Sequence, residues 1–264
     1  MSFEGMAGMR ASLDDVSTLL ASLNDDEWNA PSAAAAWTVK DVATHVPDLQ
    51  NILVTAVQGQ LNTDLGIEPL NDARVAAKSS WSPAQVLDDL TRQSAIALPM
   101  FEGLQTEPNA STEVQLLDLG TYPANRIPDM FAFDFYTHLR WDILAPRGPL
   151  HHDVPAPDEV RLKPAVGWLL AGLPQMQAGI RDSLAKPVML TLTGPGGGTW
   201  ILDPSDKLIT VTAADPDVPA TAVIQSTSHE FTAWATTRLP WRDHTTVTGD
   251  QQTAATFLDT LNLI

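Results

Sequence analysis

Histidine is scarce in this chain and cysteine is absent: six His and no Cys among 264 residues. Those two counts limit the chemistry. Without a thiol there can be no cysteine nucleophile, disulfide framework or zinc ribbon, and no G-x-S-x-G serine elbow occurs either. Carboxylate–imidazole chemistry remains. Asp134 and His138 stand four residues apart, a spacing that puts both side chains on one helical face, one turn apart. A carboxylate and an imidazole so placed can share one divalent cation. His45, from an earlier segment, can complete a two-His, one-carboxylate set with an open position. Asp142 lies one turn further on and can accept from an imidazole N–H or serve as a fourth ligand. Taken alone, an Asp-x3-His pair is more often a helix hydrogen bond, and a lone His45 more often a satisfied structural histidine. The apolar surroundings of all three residues favour the cation, because an unpaired buried carboxylate or imidazole is costly.

Four helices are expected to position these residues. The first covers Met9 to Ser22, where Leu13, Val16, Leu19 and Leu20 recur at helical spacing. The second begins at Thr38, whose hydroxyl and the carboxylate of Asp41 make a capping box. It carries His45 and runs to Val57, with Pro47 expected to kink or break it. The third opens on Ser82-Pro83, a cap followed by a first-turn proline, and continues through Ala97. The fourth, from Pro128 to Leu144, is the most apolar and carries Asp134, His138 and Asp142. Four such helices suggest a bundle.

The texture changes after the proline- and glycine-rich stretch from Ala145 to Pro157, which reads as a linker. Residues 1–152 and 153–264 are therefore expected as two domains. The second reads as a helix from Val166 to Ile180, then strands at Val188–Leu192, Thr199–Leu202, Lys207–Thr212 and Ala220–Gln225, then helices at His229–Thr236 and Gln251–Leu261. Gly194 to Gly198 lacks a following Lys-Ser/Thr and leads into a strand, so it reads as a hairpin turn and not a phosphate loop. The class is α+β with a largely antiparallel sheet. His151-His152 reads as solvated linker, His229 as a helix start and His244 as a strand start. Trp81, Trp168, Trp234 and Trp241 read as packing residues.

The formal net charge of -17 repels phosphate backbones and anionic lipid, which argues against nucleic acid and membrane surfaces as partners. No apolar run is long enough to span a membrane. The first ten residues lack a basic region followed by an apolar core, so no secretory signal is expected and a cytoplasmic location follows.

Two stretches carry a resemblance. Trp28, followed by Trp37-Thr-Val-Lys-Asp-Val-Ala-Thr-His45, resembles the W…GWTVxDLxxHL signature of the mycothiol-dependent maleylpyruvate isomerase family, part of the wider DinB-like metal-binding bundles. Phe133-Asp-Phe-Tyr-Thr-His-Leu-Arg-Trp-Asp-Ile143 resembles the family's second motif, E-x3-H followed by an Asp. Trp200, Arg238 and Val247-Thr-Gly-Asp250 carry a likeness to its sterol-carrier-like C-terminal domain. The resemblance implies a DinB-like four-helix bundle followed by a small sterol-carrier-like α+β domain. It implies His45, Asp134 and His138 as ligands of a divalent metal, usually Zn²⁺, and mycothiol as the thiol cosubstrate. It also implies an arginine of the C-terminal domain on the substrate, with Arg238 the first candidate and Arg242 the second. The chain departs from the pattern at four places. Asp134 replaces the commoner Glu and is one methylene shorter. Ala36 replaces the usual Gly, and Val46-Pro47 follows His45 where Leu is usual. Asp142 sits one residue further from His138.

The activity so implied is that of an isomerase or thiol S-transferase acting on a small, carboxylate-bearing electrophile, the thiol coming from outside a chain that has none. A non-catalytic small-molecule-binding protein with a structural or vestigial metal site is the alternative. A protein that sequesters or conjugates a toxic compound is a third, weaker reading of the same site.

Overall fold

The computed structural model describes residues 3–177 and 179–264. They fall into two compact units, the first ending at Ala156 and the second running from Pro157 to Ile264.

In the first unit the chain forms α1 (Glu4–Ser22), the short α2 (Asp25–Trp28), α3 (Val39–Val57), α4 (Ile67–Ala77) and α5 (Pro83–Gly103). A small antiparallel hairpin follows, β1 (Glu113–Gln115) with β2 (Thr121–Pro123). Then come α6 (Ile127–Thr137) and, continuous with it, a π-helical segment over His138–Ile143. The long helices are a four-helix bundle in which α1 packs along α6 and α3 along α5. Their apolar stripes meet in a core that includes Met9, Val42, Val86 and a run of rings, Phe101, Phe131 and Phe135, with centroids 5.2 and 5.4 Å apart.

The helix starts follow local chemistry. Thr38 accepts from the Asp41 N–H at 3.2 Å while the Asp41 carboxylate accepts from the Thr38 N–H at 2.9 Å, the reciprocal box expected there. Ser82 and Gln85 make the same box ahead of Pro83. Pro47 does not break α3, which runs unbroken through it. Its missing N–H costs one backbone bond, and apolar packing on both sides holds the helix together. The short α2, α4 and the hairpin were not anticipated from sequence. Gly66, at the N-cap of α4, has no side chain to offer. The Ile67 N–H is instead taken by Asp118 Oδ1 at 2.8 Å, 51 residues away. A Cβ on Gly66 would lie 2.4 Å from the other Asp118 oxygen, so glycine admits the cap.

In the second unit α7 spans Glu159–Gly172, not Val166–Ile180. Asp158 caps it by accepting from the Arg161 N–H at 3.0 Å, and Pro164 lies inside it without ending it. Ala178, within the helix expected from sequence, lies outside the described residues. The strands are β3 (Val188–Thr193), β4 (Gly198–Asp203), β5 (Thr210–Ala213) and β6 (Ala222–Thr227). Helices α8 (Ser228–Trp234) and α9 (Trp241–His244), strand β7 (Thr246–Gly249) and α10 (Gln251–Thr260) complete it. The sheet order is β5-β4-β3-β6-β7, with β3–β6 parallel and the other pairings antiparallel. Gly194 to Gly198 forms the β3–β4 hairpin turn, and Gly194 and Gly196 take positive φ there. His244 ends α9, two residues before β7, instead of starting a strand. Among the described residues no helix is long and apolar enough to cross a membrane.

The bundle also buries charge. Asp48 on α3 and Asp89 on α5 are 2% and 1% exposed. Lys78, just past α4, reaches both, at 2.7 and 2.6 Å. Removing one partner of such a cluster strands a buried anion, which costs about 3–5 kcal/mol. Lys78→Met is expected to lower stability by roughly that amount. Arg92→Met, which removes the more exposed partner of Asp89, should cost far less; urea unfolding of the two variants compares them.

Asp129 in the first turn of α6 is tucked against α1, where a Cβ on Gly5 would come within 2.2 Å of its Oδ1. Burial, the largest influence, pushes its carboxyl up to about 6 despite the Arg126 guanidinium at 2.8 Å. The folded chain therefore holds this proton to higher pH than the unfolded chain. Stability from this group falls as pH rises from about 4 to 6 and is level above. Asp129→Asn should gain on the order of 2–3 kcal/mol relative to wild type between pH 4 and 7, read from urea midpoints at both values.

Candidate metal centre

His45 is held two turns into α3 by the Thr38–Asp41 box. Asp134 lies in the last turns of α6, and His138 opens the π-helical segment, so the four-residue spacing does place carboxylate and imidazole together. His45 Nε2 is 3.3 Å from Asp134 Oδ1, and His138 Nε2 is 3.5 Å from the same oxygen. One ligand atom from each of the three residues lies within 4.8 Å of the others. His45 is 2% exposed and the other two nearly buried.

The electrostatics are those of an anion looking for a cation. Burial, the strongest single influence, pushes the Asp134 carboxyl upward. His138 and then His45 overcome it and hold Asp134 well below the usual carboxylate range. Burial likewise pulls His138 down, but the charge and hydrogen bond of Asp134, joined by Asp142, push it up to about 9. The second oxygen of Asp134 is buried with no hydrogen-bond partner. Every buried aspartate among the described residues, Asp15, Asp48, Asp89, Asp129 and Asp142, has a Lys or Arg within 4 Å. Asp134 is paired only with imidazoles. A hard oxygen and two imidazole nitrogens suit a divalent transition ion and leave a position open.

Asp142 takes the outer role open to it from the sequence. Its Oδ2 accepts from His138 Nδ1 at 2.8 Å, leaving His138 Nε2 for the cluster. Trp37 walls the site: its ring lies 5.3 Å from that of His45 and 6.4 Å from that of His138, and its Nε1 donates to Asp72 Oδ1 at 3.1 Å. Two contributors were not read from the sequence. Asp72 lies on the unanticipated α4. Arg147, which reaches Asp142 Oδ1, lies in the stretch read as linker. His152, also read as solvated linker, pairs with Glu27 at 2.7 Å.

The C-terminal arginines lie in the second unit. Arg242 makes a two-pronged ion pair with Asp259 at 2.6 and 2.8 Å and lies over the Trp241 ring. Its donor edge is occupied. Arg238 is half-buried after α8, its N–H donating to the Ala233 carbonyl at 2.9 Å.

A helical bundle that gathers such a donor set on its inner faces, followed by a small mixed-sheet unit, is a recognisable class of protein. Residues 9–135 match the family model described as the mycothiol maleylpyruvate isomerase N-terminal domain. The fold of the whole chain is similar to the crystal structure of the mycothiol-dependent maleylpyruvate isomerase, with TM-score 0.58 and 19% identity over 94% of this chain and 93% of that one. A histidine-to-alanine mutant of that enzyme gives TM-score 0.57 at 18% identity with the same coverage. In sequence, the chain is 25% identical over 224 residues to the uncharacterized protein Rv0036c of Mycobacterium tuberculosis (strain ATCC 25618 / H37Rv), covering 80% of this chain and 81% of that protein. The uncharacterized protein MT0041 of strain CDC 1551 / Oshkosh matches identically.

The turn that presents Trp37 is strained. Ala36 has φ +66°, a left-handed conformation that costs an L-residue about 1–2 kcal/mol. The turn is tied to the π-helical segment by the Ala33 N–H on the Asp142 carbonyl at 2.9 Å, and closed by Ser32 Oγ on the Trp37 carbonyl at 2.8 Å. Ala36→Gly relieves the strain, and the added freedom of the unfolded chain offsets part of the gain. A net stabilisation of about 0.5–1 kcal/mol is expected, measured as a higher urea midpoint.

Proposed function

We propose that this chain is a cytoplasmic, metal-dependent enzyme that works with an external low-molecular-weight thiol, mycothiol, on a small electrophile bearing a carboxylate. The observation that carries the reading is the convergence of His45, Asp134 and His138 on one point, with no Lys or Arg supplied to Asp134. These three residues would hold the ion, and the donor set fits Zn²⁺. When bound, Zn²⁺ supplies the Lewis acidity that favours thiolate over thiol at neutral pH.

The chain's own residues do the rest. Asp142 orients His138 through its Nδ1–H. Trp37 keeps water from one side of the cluster. With no cysteine present, the nucleophile enters as a cosubstrate. Addition of its thiolate to an activated double bond forms a carbon–sulfur bond and leaves a single bond free to rotate. Expulsion of the same thiolate then returns the isomer, whereas protonation of the adduct completes an S-transfer. Arg238 is the better candidate to grip the substrate carboxylate, since an arginine can do so with two parallel hydrogen bonds. Arg242 already makes such a pair with Asp259.

Elemental analysis of the purified chain tests the reading. Near one divalent ion per chain is expected, lost in His45→Ala and Asp134→Ala, together with thiol-dependent turnover of an unsaturated acid that needs the ion. Wild-type metal content in both variants, or none in wild-type protein loaded with zinc, overturns it. Metal with ligand binding but no thiol turnover would favour the binding-protein alternative. Arg238→Ala should raise KM for carboxylate substrates at least tenfold, about 1.4 kcal/mol of lost binding, and Arg242→Ala much less.

A further inference from the structure

We infer that Arg147 is a positioning residue of the metal centre, acting through Asp142 to aim His138 at the cluster. The inference rests on the metal reading above. It concerns a segment that by composition is a connector.

Past the π-helical segment the chain does not leave the bundle. It folds back: the Ala145 N–H donates to the Leu150 carbonyl at 2.8 Å, Gly148 to Leu144 at 2.8 Å, and Leu150 to Ile143 at 3.0 Å. Gly148 makes this fit possible, since a Cβ there would lie 2.3 Å from the Ile143 carbonyl carbon. The loop so fixed places Arg147 beneath the π-helical segment. One guanidinium nitrogen, Nη1, donates to the Trp141 carbonyl at 2.9 Å and to Asp142 Oδ1.

Asp142 is completely buried, and its two oxygens are divided. Oδ1 takes the arginine and Oδ2 takes His138 Nδ1–H. The guanidinium therefore sets the plane of the carboxylate, and the carboxylate sets the plane of the imidazole. It also brings a positive charge to the carboxylate that is bonded to one imidazole of the cluster. His45 has no such relay. Its Nδ1 has no hydrogen-bond partner, and its ring is held by burial and by Trp37. One imidazole is thus located by packing and the other by a chain of directed bonds ending in Arg147. Partners in that outer position change metal affinity by 10- to 100-fold when removed.

The test is Co²⁺ titration of the metal-free full chain, following the visible bands of the bound ion, with a thermal melt of each metal-free variant as a folding control. Arg147→Met should raise the Co²⁺ dissociation constant 10- to 100-fold and shift the bands. Arg147→Lys, which keeps a cation, should recover most of the loss. Asp142→Asn should weaken binding similarly, and adding Arg147→Met to it should cost little more, because the two act in series. Wild-type affinity and spectrum in Arg147→Met overturn the inference, and so do losses that simply add in the double variant. If Arg147→Met does not fold, Asp142→Asn decides: wild-type binding there overturns the inference. The two readings fail differently. A wild-type chain that binds no Co²⁺ removes the metal centre and the relay together, whereas wild-type binding matched by the variants removes the relay alone.

Discussion

A carboxylate inside a helical bundle needs a counter-charge, and the first unit is organised around meeting that need. An anion taken out of water without a partner costs several kcal/mol. Asp48 and Asp89 are answered by Lys78, Asp129 by Arg126, Asp142 by Arg147, and Asp15 more distantly by Arg140 at 3.8 Å. In each case the cation is covalently part of the chain and the charge is settled on folding. Asp134 is the exception. It faces two imidazoles, groups that carry charge only when protonated and that give up the proton when an ion takes its place. Among the buried aspartates of the described residues a cation of the chain is at hand, whereas Asp134 is paired with imidazoles.

That exception makes demands on the surrounding elements. His45, Asp134 and His138 converge only if α3 and α6 keep their register, so the start of α3 is pinned by the Thr38–Asp41 box and α6 is packed along α1. The indole of Trp37 lies against both imidazoles from a turn bent at Ala36. Left-handed backbone at an alanine persists only where surrounding contacts over-determine it. Here the contacts are the Ser32 and Ala33 hydrogen bonds, the second of which lands on the backbone of Asp142. Strain at Ala36 and order at the ligand set are two ends of one small network.

What could be read from the sequence was what depends on neighbours along the chain. Capping boxes span three residues, the Asp134–His138 pair spans four, and both announce themselves. His45 joined them through its place in the Trp37-to-His45 signature more than through any spacing to Asp134. What escaped depends on contacts distant in sequence. The start of α4 is capped by Asp118 from 51 residues away, so no local signal marks it, and with α4 went Asp72 and the tether of Trp37. Pro47 signalled a break that packing overrode. Arg147 was hidden for another reason. Proline and glycine around it mark a connector by composition, yet Gly148 is there because the loop presses on the carbonyl of Ile143.

The winding of the chain changes within the cluster itself. A turn closed by an i→i+5 bond holds one residue more than an α turn, and the Leu144 N–H bonds the Leu139 carbonyl, five residues back, at 3.0 Å. The segment that carries His138 and Asp142 is therefore wound wide. Across this turn Asp142 Oδ2 accepts from His138 Nδ1 at 2.8 Å. Aspartate at 134 asks the opposite of its helix, a closer approach, because its side chain is one methylene shorter than glutamate. Asp134 Oδ1 lies 3.3 and 3.5 Å from the two imidazoles. Winding is free to change after His138 because α6 ends there at Thr137 as a regular helix. The helix that must come close stays regular, and the adjustment falls on the turn behind the ligand, where only a hydrogen bond to Nδ1 has to be kept.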